Sequence, residues 1–147
     1  MNSKYTITRR FQFCAGHRVY GHESKCANPH GHNYVAYVTV APLFQGGLDS
    51  LGRVVDFSVL KTIIGSWLEI NWDHGFIYYK EDKELLIFLS ASDSKRFEMD
   101  CNPTAENMAN YLRLIADQLL LDRGLYCTKV VLEETENCSA ESYEQRR

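Results

Sequence analysis

The chain has 147 residues, 45% of them hydrophobic and 24% charged, a composition that suits one globular domain able to bury a core without disulfides. Its 16 Lys and Arg are outweighed by 19 Asp and Glu, for a net charge of -3, which argues against a broad basic face for nucleic acid. No apolar run approaches the ~20 residues of a membrane span.

Residues 4 to 13 alternate. Tyr5, Ile7, Arg9, Phe11 and Phe13 share one face; Lys4, Thr6, Thr8, Arg10 and Gln12 share the other. This predicts a half-buried strand, ending at Cys14-Ala15-Gly16 with His17 directly after it. Residues 18 to 31 read as a polar loop. A second strand is expected from His32 to Ala41, rich in Tyr, Val and Thr. Gln45 to Gly52 reads as a turn region, and its glycines lack the Lys-Ser/Thr ending of a phosphate loop.

Asp56 stands where a helix cap belongs, ahead of Leu60, Ile63, Ile64, Trp67 and Leu68 at helical spacing. Residues 71 to 79 break that pattern and contain Asp73-His74. A short helix near 82 to 90 and a short strand near 96 to 99 are expected. Asn102-Pro103-Thr104 opens another helix, with Asn102 or Thr104 as its cap and Ala105, Met108, Leu112, Ile115 and Leu119 as its apolar stripe. Gly124 ends it. Further strands are expected at 128 to 134 and through Ser142 and Tyr143. The order implies an α+β fold: a four-stranded antiparallel sheet with two helices on one face. Its open edges need covering or pairing, and other subunits are one solution.

The chemistry concentrates in Lys25 to Tyr34, which reads K-C-A-N-P-H-G-H-N-Y. His30 and His32, at i and i+2, point to one side of an extended backbone, and such pairs suit a divalent metal, zinc first. An antiparallel pairing of the first two strands brings His17 to the same end of the sheet, as a third ligand. The alternative is that His30 and His32 are surface loop residues. Cys26 is either a buried, inert thiol or a thiolate activated beside a metal or a protonated imidazole. Asp73 and His74 have the make-up of a proton relay, or of a structural histidine after a helix-end carboxylate. Of Glu133 and Glu134, one must point inward and needs a donor partner. The five cysteines are odd in number and scattered, and Met1 to Phe13 carries no apolar run of a signal peptide, so the expected compartment is the cytoplasm.

Six segments in order resemble one family. These are Phe13-Cys14-Ala15-Gly16-His17-Arg18; Cys26-x-x-x-His30-Gly31-His32; and Gly52-Arg53-Val54-Val55-Asp56-Phe57 with Leu60-Lys61. The others are Trp72-Asp73-His74, Asn102-Pro103-Thr104-Ala105-Glu106-Asn107, and Glu134-Thr135. Together they look like the 6-pyruvoyl-tetrahydropterin synthase and 6-carboxy-tetrahydropterin synthase group. The resemblance implies the tunnelling fold, in which sheets from several subunits join into a barrel, typically a hexamer of two stacked trimers. It implies active sites at subunit interfaces, zinc held by His17, His30 and His32, and 7,8-dihydroneopterin triphosphate as substrate. Cys26 would accept a proton, Asp73 and His74 would relay protons, and Glu134 would grip the pterin or join the relay. Thr104 and Glu106 would line the pterin pocket. Three residues separate Cys26 from the His-Gly-His, as in the bacterial carboxy-forming enzymes of queuosine biosynthesis; five do so in animal-type pyruvoyl enzymes. The expected reaction therefore releases acetaldehyde and triphosphate. The alternatives are 6-pyruvoyl-tetrahydropterin synthesis and a non-catalytic zinc or pterin-binding module. Arg18, Lys25 and Lys61 are candidates for holding the triphosphate.

Overall fold

The computed structural model describes residues 4–44 and 47–145, so Gln45 and Gly46 of the expected turn lie outside the described residues. Strand β1 (Ile7–His17) and strand β2 (His30–Pro42) pair antiparallel, with Ile7 opposite Val40 and His17 opposite His30. The alternation holds: Phe11, Phe13, Ala15 and His17 are buried. Both strands reach further than expected, because each extends the other's ladder into the histidine-bearing ends.

Helix α1 (Phe57–Leu60), a π-helical turn (Lys61–Gly65) and helix α2 (Ser66–Asn71) follow one another, with helical dihedrals at the junctions. The Asp56 carboxylate accepts the Ser58 N–H at 2.8 Å, the expected cap. Leu60, Ile64 and Leu68 are buried, so the helical stripe persists through the wide turn.

Strand β3 (Gly75–Tyr79), helix α3 (Lys83–Ala91) and strand β4 (Arg96–Met99) come next. Helix α4 (Ala105–Leu120) is capped by Thr104, whose hydroxyl accepts the Asn107 N–H at 3.2 Å. It ends through a short 3-10 turn at Gly124, with φ of 68°. Strands β5 (Leu125–Thr135) and β6 (Cys138–Tyr143) follow.

The sheet has six strands in the order β4-β3-β1-β2-β5-β6. The four expected antiparallel strands are neighbours within it, but β3 joins β1 in parallel and β4 joins β3 in parallel. The expectation of a four-stranded antiparallel sheet is therefore corrected to a six-stranded mixed one. The reason is local. β3 is five residues long and covered on both faces: Ile77 enters the main core, while Tyr78 packs with Leu85 and Leu89 of α3. A strand covered on both faces carries no polar alternation to read. Helix α3 supplies the crossover that two parallel strands require.

The two expected helices do lie on one face, and the third helix, α3, lies on the other. Leu60, Ile64 and Leu68 of α1–α2 and Met108, Leu112 and Leu120 of α4 share the main core, while α3 covers β3 from the other side. Each fully buried Leu or Met of α4 contributes roughly 1.5–3 kcal/mol. That packing holds the segment before α4 in place, and this segment reaches the site. No helix among the described residues is long and apolar enough to cross a membrane.

Candidate active site

His17, His30 and His32 converge at the end of the β1–β2 ladder, on the face covered by the helices. Their ligand nitrogens all lie within 4.8 Å of one another. The ring centroids are 4.6, 5.1 and 4.8 Å apart, each pair edge to face. His17 is buried, and the side chain of His32 is 16% exposed.

Two backbone carbonyls set the tautomers. His17 Nδ1 lies 2.7 Å from the Pro103 oxygen, and His30 Nδ1 lies 2.6 Å from the Asn28 oxygen. A carbonyl only accepts, so each Nδ1 donates and each neutral ring presents a bare Nε2. Those two Nε2 atoms face each other at 3.1 Å. His32 Nε2 is buried and finds no hydrogen-bond partner among the described residues. Lone pairs held this close repel unless a cation lies among them. The donor set thus fits a divalent metal with imidazole ligands, whose bonds of about 2.0–2.1 Å place nitrogens roughly 3.3 Å apart in a tetrahedral arrangement.

Burial lowers the pKa of His17 below its ordinary 6.5, against the upward pull of Pro103 and Glu134. Burial lowers His32 as well, against Glu134. Both shifts favour the neutral, ligating form. Tyr34 lies fully buried beside the triad, and burial holds its phenol far above the ordinary 10.0, so it stays protonated.

Glu134 is the inward member of the Glu133–Glu134 pair. Its carboxylate lies 3.5 Å from His32 Nε2 and 4.0 Å from His17 Nε2. The β5–β6 register shifts between Glu133 and Thr135, so Glu134 sits at an irregularity of the ladder. A cavity of about 250 Å³ opens here, lined by Cys26, Thr104, Glu106 and Glu134 together with His22, Cys138 and Ser139. Four of the expected site residues thus share one cavity. Cys26 is half-buried, in a short 3-10 turn (Lys25–Ala27) that the loop reading had not resolved.

The family model described as 6-pyruvoyl tetrahydropterin synthase matches residues 6–145. The chain belongs to that family. It is 40% identical over 136 residues to a Rickettsia typhi protein named 6-carboxy-5,6,7,8-tetrahydropterin synthase, covering 91% of this chain and 96% of that one. Its fold matches the Caenorhabditis elegans 6-pyruvoyl tetrahydropterin synthase at 25% identity, with a TM-score of 0.68 and 96% of each chain covered. An uncharacterized Wolinella succinogenes protein, WS1659, shares the fold at 21% identity, with a TM-score of 0.80, over 96% of this chain and 98% of that one.

Within this family member, Asp73 and His74 stand apart from the Cys26 cavity. Asp73 accepts the Cys14 N–H at 2.9 Å through one oxygen, and its other oxygen lies 2.9 Å from His74 Nδ1. Burial opposes ionisation of Asp73, but the Cys14 N–H, His74 and Lys95 outweigh it and hold its pKa below the ordinary 3.8. The His74 side chain is 79% exposed, with a positive φ of 58°. It lines a different cavity, of about 400 Å³, with Cys14, Gly31, His32 and Asn33. Adjacent in sequence, the two side chains do meet, which adjacency alone left open.

Arg18 is spoken for. Its guanidinium forks onto Asp82, with Nε to Oδ2 at 2.6 Å and a second nitrogen on Oδ1. Asp82 is 1% exposed and caps α3 through the Leu85 N–H. Lys25 and Lys61 are exposed. Asn102, read as a possible helix cap, instead grips the loop after β1: it accepts the Tyr20 N–H at 2.8 Å and donates to the Tyr20 carbonyl at 3.0 Å. No motif signalled that clasp, nor His22 and Ser139 in the cavity.

Proposed function

We propose that this chain converts 7,8-dihydroneopterin triphosphate to 6-carboxy-5,6,7,8-tetrahydropterin, releasing acetaldehyde and triphosphate, with zinc as its metal. The observation that carries this reading is the 40% identity to a 6-carboxy-5,6,7,8-tetrahydropterin synthase over 91% of the chain. The three-residue spacing from Cys26 to His30 supports the carboxy product.

Zinc, when bound by His17, His30 and His32, supplies Lewis acidity toward the substrate's side-chain oxygens and acidifies the adjacent C–H and O–H bonds. The chain's own residues do the rest. Pro103 and Asn28 hold His17 and His30 in the ligating tautomer. Cys26 acts as the proton acceptor. Glu134 accepts two parallel hydrogen bonds from the aminopyrimidine edge of the pterin, for which a carboxylate is well shaped. Thr104 and Glu106 line the same cavity. The Asp73 carboxylate accepts a hydrogen bond from the Nδ1–H of His74, leaving Nε2 to pass protons.

Because His74 is 79% exposed and outside the Cys26 cavity, its relay serves a neighbouring subunit. Edge strands β4 and β6 carry no further strand among the described residues. They suit a barrel built from several copies, in a hexamer of two stacked trimers.

The test is incubation of zinc-loaded protein with dihydroneopterin triphosphate. Acetaldehyde and the 6-carboxy product are expected. The likeness to the Caenorhabditis elegans 6-pyruvoyl enzyme favours a second reading, in which the three-carbon side chain is retained; product analysis separates the two. Cys26→Ala should keep its metal and lose about 10²–10⁴-fold in turnover. A variant that keeps full turnover would remove Cys26 from the mechanism.

A further inference from the structure

One imidazole shares the cavity with Cys26 and Glu134, and it is His22, which the reaction described above does not use. Its loop is tied down at several points. Val19 N–H donates to the Cys26 carbonyl at 2.8 Å, and His22 N–H to the Val19 carbonyl at 3.2 Å. Gly21, with φ of 82°, makes the turn between them, and Asn102 clasps Tyr20 through both of its backbone groups.

The ring itself is set by Ser24. The Ser24 backbone N–H donates to His22 Nδ1 at 2.9 Å, and the Ser24 hydroxyl lies 3.2 Å from the same atom. A backbone N–H can only donate, so Nδ1 is the acceptor and the neutral ring carries its proton on Nε2. The Glu23 carboxylate lies 3.9 Å from Nδ1, beyond hydrogen-bond distance, and that side chain is 89% exposed. The His22 side chain is only 27% exposed.

The cavity's other polar groups include two carboxylates, Glu106 and Glu134, which call for ligand N–H groups, and the hydroxyls of Thr104 and Ser139. His22 adds a donor of fixed orientation on the wall that carries Cys26. A ligand with N–H groups on one edge and oxygen acceptors elsewhere complements this arrangement.

We propose that His22 is a substrate-binding residue whose Nε2–H donates to an oxygen acceptor of the bound substrate. The inference rests on the pterin reading of the site. The acceptor is an oxygen of the pterin and its hydroxylated side chain, or a phosphate oxygen of the tail; the donor chemistry is the same.

The test compares His22→Gln with His22→Asn in the full, metal-loaded protein. The glutamine amide nitrogen overlays Nε2 and keeps the donor, whereas the asparagine oxygen overlays Nδ1, keeping the Ser24 N–H bond but offering no donor at Nε2. Affinity for 7,8-dihydroneopterin is measured by titration, and KM and kcat with its triphosphate. For His22→Asn, KM should rise about 3- to 10-fold with little change in kcat, as expected for one lost hydrogen bond. His22→Gln should stay close to the wild-type protein. A loss with both ligands assigns the acceptor to the pterin and its side chain; a loss with the triphosphate alone assigns it to the tail. Wild-type behaviour of His22→Asn overturns the inference, and so does an equal loss in both variants, which would mark a purely structural loop residue. If the wild-type protein itself neither binds nor converts these pterins, the functional reading fails and this inference falls with it.

Discussion

His17 donates its Nδ1 proton to the Pro103 carbonyl across 2.7 Å and 86 positions of sequence. That bond ties a metal-ligand candidate on β1 to the start of α4. The same three-residue segment clasps the loop through Asn102 and caps the helix through Thr104. The α4 packing energy is thereby spent on holding an imidazole in one tautomer.

Asn102→Ala removes both bonds to Tyr20. At about 0.5–1.5 kcal/mol each, the expected loss is roughly 1–3 kcal/mol, read from the midpoint of urea unfolding. Metal affinity should fall too, because the Pro103 carbonyl loses its support. An unchanged midpoint would show that the clasp is not stabilising.

Metal binding should stabilise the fold and should depend on pH. His17 and His32 have pKa values lowered below 6.5 in the folded chain. The unfolded chain therefore takes up protons first as pH falls. The stability these groups contribute is complete above 6.5 and is lost below it. Zinc competes with the same protons, so added zinc should raise the melting temperature at pH 7 and progressively less in mild acid. His32→Ala should abolish the zinc-dependent rise. Differential scanning calorimetry with and without chelator checks both.

The Arg18–Asp82 fork joins the exit of β1 to the start of α3. Burial alone would raise Asp82, but Arg18 and the Leu85 N–H reverse this and hold it below the ordinary 3.8. Its contribution to stability is therefore present above 3.8 and is lost as pH falls through the lower folded value. Arg18→Met leaves a buried carboxylate unpaired and should cost about 3–5 kcal/mol at pH 7. Asp82→Asn should flatten the acid limb of a stability-against-pH curve. A steep limb that survives the substitution would assign it to other carboxylates.

Trp72 is fully buried, yet its indole N–H has no acceptor among the described residues. Trp67 and Phe97 meet it edge to face, at 5.1 and 6.1 Å. Trp72→Phe loses packing but also removes an unsatisfied donor that costs about 1–3 kcal/mol. It should therefore be much milder than Trp72→Ala, for which about 3–5 kcal/mol is expected. Equal losses in urea unfolding would mean the indole nitrogen carries no penalty.

Much of this was legible in the residues. The alternation of Phe11 and Phe13, the Asp56 and Thr104 caps, and the convergence of His17 with His30 and His32 all follow from periods of a few residues. The 71–101 stretch was harder. Its helix and last strand were readable, but β3 showed no polar alternation because it is covered on both faces, so β3 went unread and the parallel side of the sheet with it. Of the two possible caps, Asn102 and Thr104, the structure takes Thr104, and only the folded loop made Asn102 a clasp.

By itself the sequence determined which side chains share a face, because strand and helix periodicity is local chemistry. It also determined the three imidazoles, whose meeting needs only one antiparallel pair. Tertiary structure alone decided which carbonyl orients His17, that Arg18 belongs to Asp82, and that His74 lies outside the cavity of Cys26. The two contacting pairs are 86 and 64 residues apart and His74 is 48 from Cys26, and whether such distant residues meet depends on how whole elements pack. A spacing rule written over a handful of residues carries no information about that packing.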